Sequence, residues 1–285
     1  MRRDARTKLG RVCSPIASTC LSGYIINVSK PFLVQMNYRG LFFNYGGWGR
    51  DSMAGADQNV LWVAPVNPGG RLFENLCIYK TYNDLLLYNP VVDKNLASVN
   101  YGQGGGMIMF NKTMYYNCYD SRNICKYNPQ TNVMEVHVAL PNASYNNQFS
   151  YSSSPYQDID MASDEEGLWV IYSTPSYAGN IVISKLDPIS LKVTQTWVTG
   201  QNKTAASNAF MACGVLYATR SLSTQKEEIF YMYYTKTKKE GSLKISMEKI
   251  KENVASLSYN PNDHKLYMYD AGFLVSYNVV FKPTQ

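Results

Sequence analysis

The run Asp164-Glu165-Glu166-Gly167-Leu168-Trp169-Val170-Ile171-Tyr172-Ser173 decides the fold. Acids and a glycine punctuate its first part as a tight turn, and apolar, β-branched and aromatic side chains then follow as a strand. Outward from it, Asp158–Ala162 reads as a preceding strand, Asn180–Leu186 as a third and Lys192–Val198 as a fourth. Asp187-Pro188 turns the chain between the last two.

The unit recurs. Leu61-Trp62, Met114-Tyr115, Leu168-Trp169, Leu216-Tyr217 and Leu266-Tyr267 follow one another at offsets of 53, 54, 48 and 50 residues. The fourth copy offers strands over Ala209–Ala212, Val215–Thr219, Ile229–Tyr234 and Leu243–Met247. Four strands in about 50 residues make a propeller blade, so the repeat predicts an all-β, five-bladed β-propeller with four-stranded blades. A β-sandwich or two small barrels is the alternative. The last copy supplies only Ser256–Tyr259, Lys265–Tyr269 and Phe273–Val279, and Tyr24–Val28 is expected to add the missing strand. The N- and C-terminal strands then share a blade, which removes an exposed edge. The propeller is expected over residues 22–281, with 1–21 an N-terminal extension or remnant of a longer chain and 282–285 a tail.

Composition agrees with strands: 24 of the 285 residues are Tyr, and only 17% are charged. The net charge of +6 is spread along the chain, and its one basic run, Lys236–Lys239, reads as a solvated hairpin tip, with a nucleic-acid or heparin patch as the alternative. No apolar run approaches the ~20 residues needed to cross a bilayer. The basic start at Met1 lacks the apolar stretch of a secretory signal.

Cys118 and Cys125 flank the turn Asp120–Asn123. With Tyr119 opposite Ile124 they become cross-strand neighbours, close enough for a disulfide and hence an oxidising compartment. The alternative is two separate buried thiols. Asn27, Asn111, Asn142 and Asn202 begin Asn-x-Ser/Thr sequons, which are compatible with secretion.

First strands line a propeller's axis. Eight residues before each anchor stand Met53, Gly106, Asp160, Asn208 and Ser258. A carboxylate, an amide and a hydroxyl with nearby carbonyls suit Ca²⁺ or Na⁺; the alternative is a polar channel bonded to backbone and water. Gly104-Gly105-Gly106 precedes a strand, not a helix, and reads as close backbone packing near the axis. A propeller glycosidase would need two carboxylates across a scissile bond. Asp160 is the only acid at the inner positions, while Asp158, Asp164 and Glu165 make a local cluster beside it. His137 falls in a strand and His264 in a turn, and neither HExxH nor a Walker loop is present. No catalytic residue is therefore assigned. The loops Asn146–Tyr156 and Thr174–Ala178 are the candidate recognition surface.

Several runs in order resemble an olfactomedin domain: Tyr101–Gly104, Leu140–Ala143, Asp158–Asp160, Gly167–Thr174, Val182–Leu186, Ser207–Phe210 with Cys213-Gly214, and Tyr259–Pro261. The resemblance covers Gly23 to Val280. Gly46–Asp51, Trp62–Pro65 and Asp84–Tyr88 resemble the olfactomedin-4-like branch. It implies a secreted glycoprotein that binds extracellular or cell-surface proteins, or glycans, in adhesion, matrix contact and signalling. The alternative is a propeller glycosidase or lectin using the channel. It also implies a disulfide between Cys20 and Cys213, with Cys13 and Cys77 left to pair, stay reduced or link chains. Channel Ca²⁺ would be held by Asp160, Asn208, the carbonyls of Ala209 and Leu257, and a second Asp where this sequence has Ser258. That replacement removes a ligand and a charge, so weak binding, Na⁺ or no metal are all open. Homo-oligomers of such proteins form through coiled-coil regions this chain does not carry.

Overall fold

The computed structural model describes residues 23–53 and 60–282, which build five antiparallel sheets. Blade one comprises Tyr45–Arg50, Leu61–Val66, Asn75–Tyr79 and Val92–Asn95. Blade two comprises Ile108–Phe110, Thr113–Asn117, Asn123–Asn128 and Val133–Ala139. Blade three comprises Asp160–Asp164, Gly167–Ser173, Asn180–Leu186 and Val193–Asn202. Blade four comprises Asn208–Ala212, Val215–Ser223, Lys226–Tyr234 and Lys239–Glu248. The chain is a five-bladed β-propeller, and the sandwich alternative falls. No helix among the described residues is long and apolar enough to cross a membrane.

Blade five is completed by the other end of the chain. Val254–Asn260, Lys265–Asp270 and Phe273–Phe281 supply its first strands. Ile25–Val28 pairs with the end of Phe273–Phe281, and Phe32–Met36 pairs with its beginning. The first of these was expected. The second has no legible apolar alternation, because it lies on the rim with three of its five residues exposed. Trp48 of blade one donates to the Met268 carbonyl of blade five at 2.8 Å and meets Tyr267 edge-on, closing the ring.

Blades stack face to face, so both faces of a central strand are buried and the strand reads as a continuous apolar run. Leu168, Val170 and Tyr172 pack with Ile108 and Tyr115 of blade two. Their alternating neighbours Trp169 and Ile171 pack with Met211 and Leu216 of blade four. Equivalent cores fill the other interfaces. Each fully buried large side chain contributes about 1.5–3 kcal/mol, which makes these interfaces the main stabilising element.

Candidate functional site

The inner strands of blades three, four and five converge on the axis. Gly105 and Gly106 let the backbone of blade two join them. A Cβ on Gly106 would lie 2.8 Å from both Cα and Oδ1 of Asp160, and one on Gly105 would lie 2.9 Å from the Gly46 and Ala255 carbonyls. The glycine run is close packing at the axis, as read from the sequence.

Asp160 is buried there. Its Oδ2 accepts the Tyr151 hydroxyl at 2.8 Å. Lys203 is fully buried beside it, with its ammonium 3.4 Å from the Tyr151 ring centroid and donating to the Gln157 carbonyl. Burial pushes the Asp160 carboxyl up, opposed by the Lys203 charge, the Tyr151 hydroxyl and the Gln157 amide. Burial pushes the Lys203 ammonium down, opposed by Asp160 and Asp158. Asn208 is buried, with Oδ1 accepting the Ala209 amide at 3.1 Å. Asn208 Nδ2 has no hydrogen-bond partner among the described residues.

Counting back eight residues works only where two residues separate the first two strands. Asp160 faces Ile171 and Asn208 faces Thr219, each three past its anchor. The longer turn of blade five places Ser256, not Ser258, opposite Tyr269, three past its anchor. Ser258 is half-buried, and Met53 lies beyond the inner strand of blade one. Tyr151, Gln157 and Lys203 were missed. Lys203 sits inside the sequon Asn202-Lys203-Thr204, a pattern that reads as exposed loop.

These residues do not fit Ca²⁺. The cluster's one inner carboxylate is offset by a buried ammonium, and the Asn208 oxygen already accepts an amide, whereas Ca²⁺ gathers roughly six to eight oxygens with several negative charges. Among the described residues no group of three His, Cys, Asp or Glu side chains comes together.

The other acids act as latches. Asp158 is saturated by the Asn147 and Phe149 amides, both at 2.7 Å, and by the Ser150 hydroxyl at 2.9 Å. It holds the loop ahead of blade three, so the strand begins at Asp160, two residues later than expected. Glu165 accepts the Cys213 amide of blade four at 2.9 Å and the Tyr259 hydroxyl of blade five at 2.7 Å. Asp51 of blade one accepts the Asn111 and Lys112 amides in the first turn of blade two. Among the described residues the inner positions of the neighbouring blades hold Gly106, Asn208 and Ser256, with no carboxylate besides Asp160.

The two candidate recognition loops do meet. Tyr145, Gln148, Pro175 and Ser176 share a shallow pocket of about 180 Å³ with Arg122 and Asn142. Beside it, Arg71 lies between the rings of Tyr119 and Tyr156, 4.9 Å from each centroid, and pairs with Asp120. Tyr119 and Tyr177 are exposed. Arg71 joins blade one to this loop, so the surface is fixed to the ring.

Cys118 and Cys125 form a disulfide with Cα atoms 5.3 Å apart. The pairing stands but the register does not: Cys125 lies opposite Tyr116, and Asn117 lies opposite Ile124. Asn117 Nδ2 donates to the Ser121 and Asn123 carbonyls and ends the strand early, so the disulfide crosses diagonally. Cys77 is a buried thiol beside Asp93. Cys13, Cys20 and the 1–21 extension lie outside the described residues, as do 283–285, and the Cys20–Cys213 pairing lies outside them with Cys20. Of the sequon asparagines, Asn27, Asn111 and Asn142 are exposed. Asn202 is half-buried and accepts the Thr204 amide while donating to the Ala178 carbonyl.

Residues 15–284 match the olfactomedin-like domain. This chain belongs to the olfactomedin-domain family. It is 50% identical to human olfactomedin-4 over 266 residues, which is 93% of this chain and 52% of that protein. It is 44% identical to olfactomedin of Aquarana catesbeiana over 278 residues, 94% of this chain and 60% of that protein. It is 32% identical to mouse adhesion G protein-coupled receptor L1 over 244 residues, 84% of this chain and 16% of that receptor. The chain thus spans about half the length of its olfactomedin-4 relatives.

Proposed function

We propose that this olfactomedin domain is an extracellular interaction module that contacts a cell-surface or matrix protein, in adhesion and signalling, through the face built by Tyr119, Tyr145, Gln148, Tyr156 and Tyr177. The observation that supports it is that Asp158 accepts the Asn147 and Phe149 amides of this Tyr-rich loop while Arg71 stacks against Tyr119 and Tyr156, which ties the surface to the ring. Tyr offers large contact area at low entropic cost, and a preformed surface spares the cost of ordering loops on binding. Family membership supports the extracellular setting, as does the Cys118–Cys125 disulfide, since such bonds persist in oxidising compartments. The axial cluster serves as internal support. Its charge balance suits water or Na⁺ in place of Ca²⁺.

The test is a binding screen of the domain against cell-surface ectodomains, matrix proteins and a glycan array, repeated with Tyr145→Ala/Gln148→Ala. A protein ligand bound by the native domain and weakened at least ten-fold by the double variant is expected. Ligands that bind the double variant equally well would remove this face from the reading, and turnover of a polysaccharide would replace the reading with a channel glycosidase.

A further inference from the structure

A second concave region, sharing no lining residue with that loop pocket, is lined by blades one, two and five. It is a cleft of about 1050 Å³, at the upper end of the roughly 300–1,000 Å³ typical of small-molecule sites. Trp48, Leu61, Ile78 and Tyr267 form its buried floor. Val34, Val60 and Val92 continue the apolar wall, and Phe32, Tyr82 and Val91, exposed by 60%, 40% and 61%, stand at its rim. The cleft exists because blade five takes its outermost strand, Phe32–Met36, from the N-terminal segment, and that strand lies against blade one's neighbourhood without filling it.

Its charge is one-sided. Lys80, Lys112 and Lys265 line it, from blades one, two and five, and none makes an ion pair among the described residues. Among the described lining residues the single acid is Asp263, and Arg50 pairs with it at 3.0 Å. Asp263 Oδ2 also accepts the Tyr267 hydroxyl at 2.5 Å, whereas its Oδ1 is buried with no hydrogen-bond partner. Three ammonium groups without an ion-pair partner among the described residues, set above an apolar floor, attract an anion with an apolar body.

We propose that this cleft binds an amphipathic carboxylate, with a hydrocarbon body on the Trp48–Tyr267 floor and its carboxylate head among Lys80, Lys112 and Lys265. The site is independent of the loop face, and neither needs the other.

The experiment is calorimetric titration of the whole chain with N-octanoylglycine, octanoate, octylamine and octanol below their aggregation limits. Lys112→Glu/Lys265→Glu and Val34→Glu are titrated alongside, with thermal melts confirming that each variant folds. N-octanoylglycine and octanoate should both bind, and octylamine and octanol at least ten-fold more weakly than either carboxylate. Both variants should lose at least ten-fold for the two carboxylates. Equal binding of octylamine or octanol, or carboxylate binding unchanged in folded Lys112→Glu/Lys265→Glu, would overturn the proposal, as would no binding of either carboxylate to the native chain.

Discussion

The Asp164 carboxylate of blade three accepts the backbone amide of Gly214, in the first turn of blade four, at 2.6 Å. Its other oxygen accepts the Glu166 amide at 2.8 Å and the Trp169 indole N–H at 2.6 Å. One buried side chain thus satisfies donors in its own turn, its own second strand and the next blade. Asp164→Ala strips the acceptor from all three, and each unsatisfied buried donor costs about 1–3 kcal/mol. Urea unfolding should show a loss of about 3 kcal/mol or more with the propeller retained. A loss below about 0.5 kcal/mol would mean water replaces the carboxylate without penalty.

Burial pushes the Asp164 carboxyl up to about 7, against the Gly214, Trp169 and Glu166 donors and with help from the neighbouring Glu165 charge. Burial likewise pushes Asp270 up to about 6, against the Ile250 and Lys251 amides and Lys249, with Glu227 adding to the rise. Both folded values exceed the usual 3.8, so the folded state holds these protons more tightly than the unfolded chain. Their stabilising contribution is complete below about pH 4 and is lost as pH rises through 6 to 7. The melting temperature should therefore fall between pH 5 and pH 8, with a shallower slope in Asp164→Asn. An equal slope in that variant would exclude Asp164 as a source.

Trp169 is fully buried between blades three and four, against Trp197 at 5.5 Å. Trp169→Ala should cost about 3–5 kcal/mol, as large core truncations do. Denaturant titration checks this, and a cost near 1 kcal/mol would show that the blades repack freely around the gap.

The Cys118–Cys125 disulfide spans a sequence separation of seven residues. So short a loop contributes about 2–3 kcal/mol at most in the chain-entropy view. Replacing both cysteines by serine should lower the melting temperature by several degrees while leaving the far-ultraviolet spectrum of a β-protein. Complete unfolding would give the bond a larger part than loop closure allows.

Addition of Ca²⁺ or chelator should leave the melting temperature within about 2 °C, because a ligand held only by the folded state would raise it. A larger rise with Ca²⁺ would show that Asp160, Asn208 and the nearby carbonyls make a divalent site despite Lys203.

The repeat was legible because blade packing buries both faces of every second strand, and Leu61, Met114, Leu168, Leu216 and Leu266 are all buried anchors. Asp160 and Asn208 were legible at the axis because blades three and four share a two-residue first turn. Ser258 was displaced because the turn after Asn260 is longer. Lys203 and Gln157 were hidden for another reason: they enter the axis from loops, and loop side chains carry no periodicity to betray burial. Phe32–Met36 was hidden because its pairing partner lies 240 or so residues away and its outer face is in solvent.

The N-terminal strands close blade five against Phe273–Phe281, and hydrogen exchange read by mass spectrometry tests this closure directly. Amides of Ile25–Val28 and Phe32–Met36 that pair with Phe273–Phe281 should be protected together with that strand and released with it in one cooperative step. Exchange of the N-terminal strands within seconds, while Phe273–Phe281 stays protected, would mean that blade five is closed by something else.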